Sequence, residues 1–67
     1  MSERRFGTKA AAARAVKKQG LQAVPHTFDE MFDMYRGWRV TFTCELPEDA
    51  AEIRSRGFRA VVEGVAQ

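Results

Sequence analysis

The strongest constraint on the fold is an eight-residue alternation near the middle of the chain. Trp38, Val40, Phe42 and Cys44 alternate with Arg39, Thr41, Thr43 and Glu45, the two-residue period of a strand with one buried and one solvated face. A lone strand buries nothing, and an isolated two-stranded sheet is marginal in water. The rest of the 67 residues must therefore supply partner strands and a covering layer. The strand is expected over 38–45.

The segments after it fit a compact β-α-β unit. Pro47 suits the first turn of a helix over 47–56, with Glu48, Asp49 and Glu52 toward its N-terminal end and Arg54 and Arg56 toward its C-terminal end, matching the helix dipole. Leu46, Ala50 and Ile53 form its narrow inward stripe. Gly57 ends it, and 58–63 reads as a second strand with Phe58, Ala60 and Val62 on one face. The crossover between the two strands is long enough for a parallel connection.

Two helices are predicted upstream. Thr27-Phe28-Asp29-Glu30 has the form of a capping box. Phe28, Met31, Phe32 and Tyr35 follow at helical spacing, with Asp29, Glu30 and Asp33 opposite and Gly37 as the stop. This amphipathic helix, over 27–36, would lie across the sheet. A first helix over 8–19 has Thr8 as N-cap and Gly20 just past its end. Lys9, Arg14, Lys17 and Lys18 occupy one half of its wheel, and Ala11, Ala12, Ala15 and Val16 the other. Residues 1–7 are expected to be flexible. A third strand would come from Leu21–Val24, which Pro25 confines to an edge, or from a second copy of the chain. The sum is a single small α+β domain spanning 1–67, with a two- or three-stranded sheet.

Length and composition restrict the function. A chain of this size buries only about 60% of its unfolded surface, and a single cysteine excludes an internal disulfide. A homodimer is one way to gain burial. The apolar fraction of 45% is that of a folded domain. No apolar run reaches the length of a membrane span, the first residues lack the apolar stretch of a secretory signal, and the lone thiol suits a reducing, cytoplasmic setting.

Catalysis finds little material. Cys44 shares the inward strand face, where a thiol acts as a small hydrophobe, and His26, the one histidine, falls in a loop between Pro25 and Thr27. A nucleophile–base pair needs the fold to join them. The acidic clusters match no calcium or zinc spacing, the glycines are isolated, and no cofactor is implied. The aromatics, Phe28, Phe32, Tyr35, Trp38, Phe42 and Phe58, are read as core rather than as base-stacking platforms. The chain is expected not to be an enzyme.

Charge is the remaining lead. The first twenty residues hold six cations and one acid, net +5, and the remainder five arginines and eight acids, net −3. Arg4, Arg5, Lys9, Arg14, Lys17 and Lys18 form the candidate contact set. Their simplest role is internal, pairing with Asp29, Glu30 and Asp33. Their first functional role is docking on a larger protein, as a regulatory adaptor or inhibitor steered by charge complementarity. The alternative is sequence-independent contact with DNA or RNA phosphates. Membrane-surface binding is disfavoured, because the basic helix has no large apolar side chain to insert.

Overall fold

The computed structural model describes residues 3–64. Its centre is the predicted strand, observed as β3 (Gly37–Cys44), with Val40, Phe42 and Cys44 buried and the intervening residues half-buried. β2 (His26–Asp33) pairs with it antiparallel along its whole length, from His26 opposite Cys44 to Asp33 opposite Gly37. Two strands share the other side of β3 end to end. β1 (Arg5–Phe6) is antiparallel, with Phe6 opposite Trp38 and Arg5 opposite Arg39. β4 (Arg59–Val62) is parallel, from Arg59 opposite Thr41 to Val62 opposite Cys44. The chain is thus α+β, with a four-stranded mixed sheet and two α-helices.

The helices are α1 (Lys9–Lys18) and α2 (Pro47–Ser55). Thr8 Oγ1 accepts a hydrogen bond from the Ala11 N–H at 3.1 Å, a side-chain cap at the start of α1. Gly20, at φ +70°, starts a single 3-10 turn over Leu21–Ala23. α2 carries Glu48 and Asp49 in its first turn and Arg54 in its last. Arg54 Nη2 donates to the Ala60 carbonyl at 2.6 Å, fastening α2 to β4. Arg56 bonds the Gln19 carbonyl and Glu52, so the end of α2 also holds the end of α1.

Both helices cover one face of the sheet. Ala12 and Val16 from α1, Leu21, Ala50 and Ile53 from α2, and Phe58 and Ala60 close over Val40, Phe42 and Cys44. Phe42 and Phe58 meet edge to face, with ring centroids 5.7 Å apart, a preferred aromatic geometry. No residue of β2 belongs to this buried set.

Several expectations are corrected. The 27–36 segment is not a helix: its residues form β2 and the following turn. Asp33 organises that turn, its Oδ1 accepting from the Tyr35 N–H at 2.9 Å and its carbonyl from the Arg36 N–H at 3.1 Å. Gly37 then adopts φ +86°, as the three-residue hairpin loop requires. A Cβ on Gly37 would lie 2.5 Å from the Phe6 carbonyl oxygen, so β1 docks only because this residue has no side chain. Phe28, Met31, Phe32 and Tyr35, expected in the core, are all exposed. The additional strands come from β1 and β2, not from Leu21–Val24. Within the segment expected to be flexible, Arg5–Phe6 is sheet, while residues 1 and 2 lie outside the described range. Leu46 is half-exposed at the start of α2 rather than part of its inward stripe.

Candidate functional site

The candidate cations separate into three environments. Arg4 stacks its guanidinium over the rings of Phe58 and Phe6, 5.1 Å and 5.8 Å from their centroids, and is absorbed into the packing of β1. Arg5 lies beside Arg39 on the sheet face turned away from the helices. Glu3 Oε1 sits 3.2 Å from Arg5 and 3.8 Å from Arg39, holding the two like charges together. Only Lys9, Arg14, Lys17 and Lys18 remain on one exposed surface, the solvent side of α1. The register of that helix forces this arrangement, because Ala12 and Val16 must face the sheet.

Pairing with the acidic segment does not neutralise this surface. Lys9 Nζ reaches Glu30 Oε1 at 3.9 Å. Arg14, Lys17 and Lys18 make no ion pair among the described residues. The reason is geometric: Asp29 and Asp33 belong to the β2 positions that point away from the helices, and Glu30 alone shares their side.

A second surface emerges on the hairpin. Phe28 is 39% exposed, Met31 54%, Phe32 58%, Met34 76% and Tyr35 91%. The aromatic residues on the helix side of β2 rest on rings of β3. Phe28 leans on Phe42 at 5.6 Å, Phe32 on Trp38 at 5.0 Å, and His26 meets Phe42 edge to face at 4.6 Å. Asp29, Glu30 and Asp33 interleave with the apolar residues, making the arm both apolar and acidic. Helical spacing alone places these side chains in the core. The signal for their true setting is Asp33 followed four residues later by Gly37, a hairpin loop between two eight-residue stretches.

The fold does bring His26 and Cys44 together, as partners across β2 and β3. The setting does not activate the thiol. Cys44 is buried, and burial, aided by the Asp49 carboxylate and opposed by Arg54, raises its thiol above the ordinary value. A thiol held protonated and closed to solvent does not attack a substrate. Beside it lies a surface depression of about 290 Å³, lined by Pro25, His26, Thr27, Thr43, Glu45 and Glu63. Among the described residues, no three His, Cys, Asp or Glu side chains are grouped to hold a metal ion, and no helix is long and apolar enough to cross a membrane.

The outward sheet face carries Arg5, Arg39 and Arg59 with Thr41 and Thr43, and no aromatic side chain. Arg39 donates to the Met31 thioether and lies near Glu3. That face therefore lacks the exposed rings on which single-stranded bases stack. Family profiles, curated proteins and solved structures contain no match to this chain.

Proposed function

We propose that this chain is a small, non-enzymatic adaptor that docks on a larger protein through the β2 arm, with the basic face of α1 as a second, steering surface. The observation that carries this reading is the row of exposed Phe28, Met31, Phe32, Met34 and Tyr35. Burying a Phe or Met side chain is worth about 1.5–3 kcal/mol. A 67-residue chain has few such residues, and placing five on one arm forgoes a substantial share of its attainable stability. They lie on both faces and the tip of the arm, and exposed apolar side chains concentrated on one element among charges are a common mark of a protein-binding surface. The unpaired cations of α1 favour rapid, salt-sensitive encounter with an acidic region of the same partner.

The test is affinity capture with the full chain and two double variants. Phe32→Ser with Tyr35→Ser is expected to lose a stoichiometric partner while the fold, followed by circular dichroism, persists. Arg14→Glu with Lys17→Glu is expected to slow association more than it speeds release. An arm variant that captures the same partner with unchanged stoichiometry removes this reading.

The alternative, DNA or RNA binding, is supported by one observation: Arg14, Lys17 and Lys18 are exposed along α1 without ion-pair partners among the described residues. Such a row contacts phosphates without reading sequence. The acidic β2 arm and the engagement of Arg4 and Arg5 elsewhere weaken it.

A further inference from the structure

We infer that the free edge of β2 accepts an extended, cationic segment of the partner as a fifth strand. The inference rests on the docking function proposed above and names what the arm binds. β2 runs for eight residues and pairs with β3 alone among the described residues. Its far edge therefore presents a row of backbone N–H and C=O groups that the sheet leaves unpaired. Natural sheets blunt such edges with shortness, proline, charge or a bulge. The charges of β2, Asp29, Glu30 and Asp33, are all acidic, which turns away like edges but not a basic one. Here the strand is long, free of proline and lysine, and matched residue for residue with β3.

The side chains specify the occupant. In a strand added antiparallel, facing residues point to the same side of the sheet. On the outward side β2 presents Asp33, Met31 and Asp29, and on the helix side Phe32, Glu30 and Phe28. The incoming segment therefore needs cations four residues apart, opposite Asp33 and Asp29. It needs apolar residues four apart, opposite Phe32 and Phe28. Between the latter it needs a hydrogen-bond donor opposite Glu30. Glu30 Oε2 is enclosed and lacks a hydrogen-bond partner, while its Oε1 lies 3.9 Å from Lys9. A donor from the added strand satisfies this carboxylate once the Glu30 side chain turns toward the edge.

A second copy of the chain fits this edge poorly. The two-fold register that sets Phe28 against Phe32 of the other copy also sets Glu30 against its own counterpart, and it doubles the acidic charge along the seam. Like charges directly opposite each other are destabilising. Nucleic acid is repelled by the same carboxylates. A basic strand converts that repulsion to attraction, which is the charge complementarity that selects it.

The experiment titrates the isotope-labelled full chain with the peptide acetyl-Lys-Val-Thr-Gln-Lys-Val-Thr-amide, followed by NMR shifts and amide exchange. Shifts and protection are expected along β2, with protection at alternate residues. Replacing both peptide lysines by glutamate is expected to weaken binding by about tenfold. On Asp29→Lys the preference for lysine over glutamate should shrink or reverse. N-methylation of one alternating set of peptide nitrogens should abolish binding, and of the other set leave it intact, because only one edge of the added strand is paired. Equal binding of both N-methylated sets overturns strand addition, as do shifts centred on α1 or self-association through β2 in sedimentation. If the peptide fails while Phe32→Ser with Tyr35→Ser still loses the partner, docking through the arm stands and the strand-addition inference falls.

Discussion

Lys9 Nζ stands 3.9 Å from Glu30 Oε1, and among the described residues it is the one ion pair linking the basic helix to the acidic strand. The partners differ in setting: the Glu30 side chain is 11% exposed and that of Lys9 69%. A loose pair with a solvated ammonium contributes little, while the enclosed carboxylate retains a desolvation cost. Glu30→Gln is expected to leave stability unchanged or raise it by up to about 1 kcal/mol. Lys9→Ala should change it by less than about 0.5 kcal/mol. Urea unfolding of the two variants checks both values.

The two classes of phenylalanine predict opposite responses to truncation. Phe42 is fully buried against Phe58, so Phe42→Ala should cost about 3–5 kcal/mol, enough to unfold much of the population of so small a domain. Phe32 is 58% exposed and touches mainly Trp38, so Phe32→Ala should cost less than about 1 kcal/mol. Thermal melts of the pair decide this.

Gly37 and Gly64 share a positive φ but not a neighbourhood. Gly64, at φ +80°, faces open space, and Gly64→Ala should cost about 1 kcal/mol from backbone strain alone. Gly37 adds the Phe6 carbonyl in the path of a Cβ, and Gly37→Ala should cost at least about 2 kcal/mol. Hydrogen exchange should also show Phe6 losing protection in Gly37→Ala and keeping it in Gly64→Ala.

The sequence made β3, α2 and β4 legible because their periodicity has one interpretation each. Trp38–Cys44 alternates strictly, and Pro47 with Glu48 and Asp49 marks a helix start. Thr27–Tyr35 has two interpretations. Phe28, Met31, Phe32 and Tyr35 satisfy a helical stripe, while as a strand Glu30 interrupts one face and Met31 the other. Pairing with all eight residues of β3 decided between them, a tertiary term that local propensity does not contain. β1 was hidden for a related reason, since two residues carry no period. The candidate cations were visible as a set, but not that Arg4 would stack on Phe58 and Arg5 pair with Glu3.

Cys44 predicts a pH dependence with a defined sign. Burial comes first among the causes that raise its thiol above 9.0, so the folded state binds the proton more tightly than the unfolded chain. This contribution is complete below the unfolded value and is lost as pH rises through the folded one. Stability should fall between pH 9 and higher pH, and Cys44→Ala should remove part of that fall. In the native state at pH 8 the thiol should resist a disulfide-exchange reagent and react at once in urea.

Nucleic-acid binding makes a narrower prediction than the net charge implies. With Arg4 and Arg5 engaged elsewhere, Lys9, Arg14, Lys17 and Lys18 remain for phosphates. Four contacts give a slope of log K against log salt of about −3.5 for duplex DNA. A flat titration, or no binding at low salt, excludes DNA as the partner of α1.

β3 is the one strand that every other strand touches, on one side by β2 and on the other by β1 and β4 in sequence. Its contacts therefore differ in the length of chain that each must close. The hairpin with β2 closes a three-residue loop, β4 is joined through the whole of α2, and β1 must return from more than thirty residues away. Loop closure of that kind favours assembly in the same order. The hairpin arm that stays bare in the finished domain thus carries the sheet pairing with the shortest loop to close, a seam available to other chains at little entropic cost.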